Sequence, residues 1–375
     1  MKIVVCIWSF FGGGAERVAV LLANGLAARG NEVTLYCADP EGPNLRFLSS
    51  QVRLAQPTKR GSLSYVIGLR RLIAQWRPDA IQSHQTTRNV LAILAHLTSR
   101  KSKSRAMVGV EHGEMQHTVR HVTATALRLF FWAARVLYPF ADRIISVSEN
   151  VRASVEQYVH PFRVRGLVLD NPVIFPELNE RARQTPTHPW LQNDRKSPTL
   201  VSIGRLEDQK NYGLLIEAFR RLRENMDCRL LIFGEGSLRA LHEARIIEAG
   251  LQDVVSFPGF VDNPFAALHA ADLFVLSSHW EGLPTVAVEA LACGVRVVST
   301  DNSTGIREII SDARAGVVVE KDDPAALASA IRQCLTQKPE RDVLPGLVER
   351  FAVDAVARVH EGLYLKLIAA KAARR

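Results

Sequence analysis

Two glutamates with seven residues between them stand in HWEGLPTVAVEALACG, residues 279–294. Glu281 lies in a loop and Glu289 within an apolar helical run. Pro284 suits a first helical turn and Gly294 a C-terminal cap, so the spacing predicts a helix over about 284–293. Its N-terminus offers backbone donors to an anion. A carboxylate without a partner inside TVAVEALA would cost on the order of several kcal/mol. Glu289 therefore needs hydroxyls of a ligand, a core arginine, or a route to solvent, and the sequence leaves these open. Upstream, GRLEDQKN (204–211) sets Arg205 and Lys210 between a strand and a helix. Arginine can grip a diphosphate with two parallel bonds while lysine adds a point charge. Taken alone, Lys210 reads as an ordinary surface lysine.

Other loops offer weaker chemistry. GGGAER (12–17) follows a strand and opens a helix, a place where glycines let phosphate approach free N–H groups. A dinucleotide fingerprint beginning at Gly12 would need glycine where Arg17 stands, so a nicotinamide cofactor is disfavoured despite Asp39 at the end of the second strand. EHGE (111–114) puts His112 at a strand end, where structural and ligand-binding roles are equally open. His84, in a similar place, reads as structural. GEGS (234–237) and PGFVDN (258–263) are glycine turns with no specific signal of their own.

These loops need a scaffold. KIVVCIW (2–8) is an apolar run of the kind found in a parallel strand covered on both faces. A helical stretch and EVTLYCA (32–38) follow it. Further strands read at 79–84, 106–112 and 143–149. The alternation restarts at TLVSIGRL (199–206), after a segment carrying Pro172, Pro176, Pro186 and Pro189. Asp323-Pro324 then caps a late helix. Strand and helix alternating twice over predict two doubly wound α/β domains, with ligands at the carboxyl ends of the strands.

Bulk properties agree with that reading. At 375 residues the chain suits two domains, and its 47% hydrophobic and 23% charged content is that of a globular protein. The five cysteines are scattered in apolar segments and read as packing residues of a reducing compartment. MKIVVCIWSF leads into a glycine loop and reads as a first strand, not a secretory signal. Arg128 and Arg135 interrupt the apolar stretch 123–141, so it is no transmembrane helix. Net charge is +9, and residues 1–170 hold 22 Lys+Arg against 11 Asp+Glu, so the positive excess sits in the first half. That asymmetry suggests an anionic surface or substrate. The basic residues are dispersed and carry no nucleic-acid-binding motif, so nucleic acid is not an expected partner.

Taken together, GGGAER, EHG, SVSE (146–149), NPV (171–173), GRLEDQKN, FGEGS, PGFV and E-GLPTVAV-E resemble the retaining GT-B glycosyltransferases of family 4, over nearly the whole chain. The resemblance implies two facing Rossmann-like domains with a cleft between them. Residues 1–172 would form the acceptor side, 173–194 a linker and 195–349 the nucleotide-sugar domain, with a helix from about 350 to 375 crossing back. It further implies that Arg205 and Lys210 neutralise the donor diphosphate, that Glu289 binds a ribose and that Glu281 contacts the transferred sugar. The backbone of Leu283, Thr285 and Val286 would lie near phosphate or sugar, and Gly204, Gly234 and Val261 would complete the donor side. His112, Gly13 and Gly14 would contribute from the first domain, and Glu16 and Arg17 would face the acceptor. No DxD motif is present, so no metal or other cofactor is expected. The expected substrates are a UDP- or GDP-linked hexose and a glycan or polyprenyl-linked saccharide of surface polysaccharide. The expected location is the cytoplasm, with peripheral attachment to the inner face of the membrane through residues 65–77 and 123–141. The alternative is a nucleotide-sugar epimerase on the same fold.

Overall fold

The computed structural model describes residues 1–11, 13–99, 105–121, 124–192, 197–337 and 340–373. Gly12, residue 123, and the expected boundary residues 193–195 and 374–375 lie outside them. The chain divides into two compact units, Met1–Val173 with Phe351–Arg375, and Ile174–Arg350.

The first unit is built on a seven-stranded sheet with the order β3-β2-β1-β4-β5-β6-β7, every pairing parallel. The strands are β1 (Lys2–Ser9), β2 (Glu32–Asp39), β3 (Arg53–Ala55), β4 (Ala80–His84), β5 (Ala106–Glu111), β6 (Arg143–Ser146) and β7 (Gly166–Val168). Ile3 to Cys6 of β1 are fully buried, as expected of a strand covered on both faces. The helices are α1 (Gly14–Ala28), α2 (Ser62–Trp76), α3 (Thr86–Leu97), α4 (Met115–His121), α5 (Thr125–Leu137) and α6 (Glu149–Val159), and α3 packs against both α2 and α5.

The second unit repeats the plan with six parallel strands in the order β10-β9-β8-β11-β12-β13. These are β8 (Thr199–Ile203), β9 (Arg229–Phe233), β10 (Val255–Gly259), β11 (Leu273–Leu276), β12 (Val297–Thr300) and β13 (Gly316–Val319). Its helices are α7 (Leu178–Ala182), α8 (Tyr212–Arg223), α9 (Arg239–Glu248), α10 (Pro264–Ala270), α11 (Thr285–Ala292), α12 (Thr304–Ile309), α13 (Pro324–Thr336) and α14 (Leu344–Leu347). The Asp323 carboxylate accepts from the backbone N–H of Ala325 and Ala326, both at 2.9 Å, ahead of Pro324, so the expected cap is present. Leu215 and Phe219 of α8 and Leu327 and Ile331 of α13 share one core with Leu200, Leu230 and Leu273 of the sheet.

A last helix, α15 (Val353–Ala372), belongs to the first unit. Gly25 of α1 makes its close approach possible, because a Cβ there would lie 2.6 Å from Val353 Cγ1. Arg29 binds Asp354 at 2.8 Å and Glu361 at 2.9 Å, and the far end is held by Lys371 on Asp142 at 2.5 Å.

Candidate functional site

In both sheets the strand order reverses direction at one seam, between β1 and β4 and between β8 and β11. Loops leaving such a seam at the carboxyl ends of the strands diverge and leave room for a ligand. The cationic loop 204–211 leaves β8, and the 277–284 loop leaves its neighbour β11.

The two loops are tied together. Lys210 Nζ lies 2.6 Å from Glu281 Oε1, and the two side chains are only 15% and 10% exposed. Ser278 Oγ donates to the same oxygen at 2.8 Å. Gln209 Nε2 donates to the Trp280 carbonyl at 3.0 Å and more weakly to Glu281 Oε2 at 3.4 Å. Main chain joins in, with His279 N donating to the Gln209 carbonyl at 2.9 Å and Ser277 Oγ to the Lys210 carbonyl at 2.8 Å. An ammonium carries three hydrogens, and Glu281 engages one of them.

Glycines let the strand ends converge. A Cβ on Gly204 would sit 2.8 Å from Lys210 Cε, so its absence lets the lysine stem cross the end of β8. Gly234 has φ +139°, and a Cβ there would fall 2.0 Å from the Gly204 carbonyl oxygen. The GEGS turn also has an anchoring part. Glu207 accepts from Ser237 N at 2.9 Å and Ser237 Oγ at 2.7 Å, and these bonds, with Arg205 adding to them, hold its carboxyl below the usual range. Arg205 itself is exposed in the same loop.

The first unit presents a different chemistry at its own seam. His112 Nε2 lies 3.0 Å from His84 Nδ1. Burial lowers both rings, His112 to about 4 and His84 well below its usual value, with His112 and His360 adding to the effect on His84, so both are neutral at pH 7. Glu111, the residue before His112, is buried and accepts from Tyr138 Oη, Thr86 Oγ1 and Asn89 Nδ2. Burial raises it to about 7 against those three donors. Glu16 accepts from Gln85 Nε2 at 2.7 Å, and burial together with Arg46 lowers Arg17 to about 10. A Cβ added at Gly13, the residue before α1, would meet nothing within 4 Å.

Residues 12–166 match the family model for Glycosyltransferase Family 4, and residues 185–344 match that for Glycosyl transferases group 1. Each unit thus carries a match to a glycosyltransferase family model. The chain is 32% identical over 203 residues to a diphospho-undecaprenol 4-alpha-N-acetylgalactosaminyltransferase of Campylobacter jejuni, a match covering 53% of this chain and 52% of that protein. The chain thus spans about half the length of that relative. It is 26% identical to an alpha-1,4-N-acetyl-D-galactosaminyltransferase of the same organism, over 98% of both chains. The structure of Anabaena HepE in complex with UDP superposes with a TM-score of 0.75 at 20% identity, covering 97% of this chain and 99% of that one. With two parallel sheets of this order, the likeness gives the GT-B fold of two Rossmann-like domains.

In the group 1 domain, the structure gathers Gly204, Arg205, Lys210, Gly234 and Glu281 at or beside the β8–β11 seam. Glu289 is buried on the second turn of α11, while Thr285 and Val286 form its first turn and are partly exposed. Leu283 is buried just ahead of that helix, and Val261 is partly exposed in the loop after β10. The helix is one residue shorter at each end than expected, with Pro284 at its N-cap. Among the described residues, no group of three His, Cys, Asp or Glu side chains is placed to hold a metal ion.

Several contributors escaped the sequence reading. Gln209, Ser278 and the Glu207–Ser237 pair hold the cationic loop in place. Gln209 and Glu207 stand inside GRLEDQKN, but nothing local tells which of its polar residues bind protein. In the family 4 domain, His84 is more than a packing residue, since it holds the Nε2 edge of His112.

Proposed function

We propose that the chain is a retaining, metal-independent glycosyltransferase. It moves a hexose-type sugar from a UDP- or GDP-linked donor to a glycan or polyprenyl-linked saccharide in surface polysaccharide biosynthesis. The observation that carries this reading is the Lys210–Glu281 pair beside exposed Arg205, at the reversal point of the group 1 domain. When the bond from the anomeric carbon to the phosphate oxygen breaks, negative charge grows on the departing diphosphate. Arg205, the remaining Lys210 hydrogens and the N–H groups of Thr285 and Val286 are preorganised to receive it. The acceptor hydroxyl forms the new bond on the same face, and its proton passes to the leaving phosphate. Glu289 takes the ribose hydroxyls, and Glu281 holds Lys210 while contacting the sugar. In the family 4 domain, His112 and the Gly13–Gly14 backbone are ligand contacts, and Glu16 and Arg17 belong to the acceptor side.

Two relatives support the substrate classes. One Campylobacter transferase is named for a PP-undecaprenol-linked saccharide, and HepE was solved with UDP. A thermal-shift panel of UDP- and GDP-sugars tests the reading. The true donor at a hundred times its Kd is expected to stabilise the protein by about 2.7 kcal/mol. No shift with any member of either series would contradict it.

The acceptor side of the proposal includes an anionic bilayer. Leu63 and Ile67 on α2, and Leu129 and Trp132 on α5, are exposed beside Arg70, Arg71 and Arg128. Apolar side chains with neighbouring arginines suit an interface with anionic lipid. No helix among the described residues is long and apolar enough to cross a membrane. Flotation with anionic liposomes, weakened by Trp132→Ser with Leu129→Ser, is the expected result. Equal absence of binding with anionic and neutral liposomes would remove the membrane from the account.

A further inference from the structure

A chain of buried polar groups runs from α15 to His112. Tyr364 Oη donates to Gln82 Oε1 at 2.6 Å, and His360 Nδ1 lies 3.0 Å from the same oxygen. The other end of that amide, Gln82 Nε2, lies 3.2 Å from His84 Nε2. His84 Nδ1 then meets His112 Nε2 at 3.0 Å. Gln82, His84, His360 and Tyr364 are all at least 97% buried, so water cannot easily substitute for a missing partner.

The hydrogens along this chain follow from the chemistry of each group. An amide oxygen only accepts and an amide nitrogen only donates. With Oε1 receiving the phenol, Gln82 Nε2 must donate to His84, whose Nε2 is therefore bare. Turned over, the amide would press its NH2 on the Tyr364 oxygen at a distance shorter than N–H···O bonds ordinarily take. Burial keeps His84, His112 and His360 neutral at pH 7, so each ring carries one hydrogen. The His84 hydrogen then sits on Nδ1 and is donated to His112 Nε2, and the His112 hydrogen is left on Nδ1. Among the described residues, His112 Nδ1 has no hydrogen-bond partner. His112 itself is only half-buried.

We infer that Tyr364 and His360 of α15, acting through Gln82 and His84, fix His112 as a neutral Nδ1–H donor aimed at an oxygen lone pair of a bound ligand. Gln82, His84, His360 and Tyr364 are positioning residues, and only His112 touches the ligand. The last part rests on the reading of His112 as a ligand contact. The tautomers themselves do not depend on it.

The test is a long-range proton–nitrogen correlation spectrum of the full chain labelled with 15N-histidine, at pH 7. Peaks are assigned through His84→Gln and His112→Gln. The expected result is hydrogen on Nδ1 in both His84 and His112. In Gln82→Leu, which cannot donate, an Nε2–H population is expected for both rings. Hydrogen on Nε2 of either ring in the wild type would overturn the inference. So would Nδ1–H tautomers unchanged in a folded Gln82→Leu chain. If that variant does not fold, the wild-type spectrum decides by itself. Nδ1–H tautomers in a protein that no nucleotide sugar stabilises would leave the relay standing and the transferase reading refuted. Nε2–H tautomers in a protein that does bind a nucleotide sugar would do the reverse.

Discussion

Lys210→Ala is expected to lower kcat by about 10²–10³, the usual loss when one preorganised group facing developing charge is removed. It is also expected to destabilise the fold. Glu281 is 8% exposed as a residue, and its carboxylate leans on the Lys210 ammonium at 2.6 Å. Deleting the cation leaves that carboxylate largely buried, with Ser278 and Gln209 still donating to it. Fully buried pairs broken in this way lose roughly 3–5 kcal/mol. The residual exposure of this pair and the donors that remain on Glu281 reduce the expected cost to about 1–3 kcal/mol. Adding Glu281→Gln to Lys210→Ala should recover most of the stability and none of the turnover. Denaturant unfolding and steady-state rates on the three variants separate the two effects. A Lys210→Ala enzyme with wild-type kcat would show that the lysine serves the fold alone.

Arg205→Ala is expected to show the opposite balance. Its side chain is exposed, and it adds a little to the lowering of the Glu207 carboxyl, which Ser237 already holds with two bonds. Stability should therefore stay within about 0.5 kcal/mol of wild type, as for ordinary surface substitutions. Turnover should still fall by about 10²–10³. Arg205→Lys should recover only part of that loss, because an ammonium cannot grip two phosphate oxygens in parallel. Rates and unfolding midpoints measured side by side check this. An inactive Arg205→Ala chain that is also strongly destabilised would point to a structural role for the loop.

Much of the scaffold could be read from patterning, and the reasons for the gaps are physical. β1, β2, β5 and β8 are mostly apolar runs, and each was expected near its observed bounds, as was β4. β3, β7 and β13 were not. All three are edge strands of three or four residues, and their side chains are mostly half-buried or exposed. A segment that short, with one flank open, carries neither an apolar run nor a full alternation. At the candidate site, the loops were legible because strand ends at a reversal point select them. The pairings inside it were not. Lys210 and Glu281 are 71 residues apart, and Gln82 and Tyr364 are 282 apart. No local pattern relates such positions, so His84 read as a packing residue until its partner was visible. Glu289 is also only half explained by sequence. Its burial within α11 follows from the apolar run around it, and nothing in that run names the partner of its carboxylate.

On this reading Arg205 and Lys210 hold the diphosphate of a nucleotide donor. Calorimetric titration of the nucleoside diphosphate and the bare nucleoside into wild type and the Arg205→Ala/Lys210→Ala/Glu281→Gln variant tests it most directly. The diphosphate is expected to bind the wild type far more tightly than the nucleoside does. In the variant that advantage should shrink by at least tenfold, with nucleoside affinity unchanged. An equal diphosphate advantage in both proteins would contradict the account.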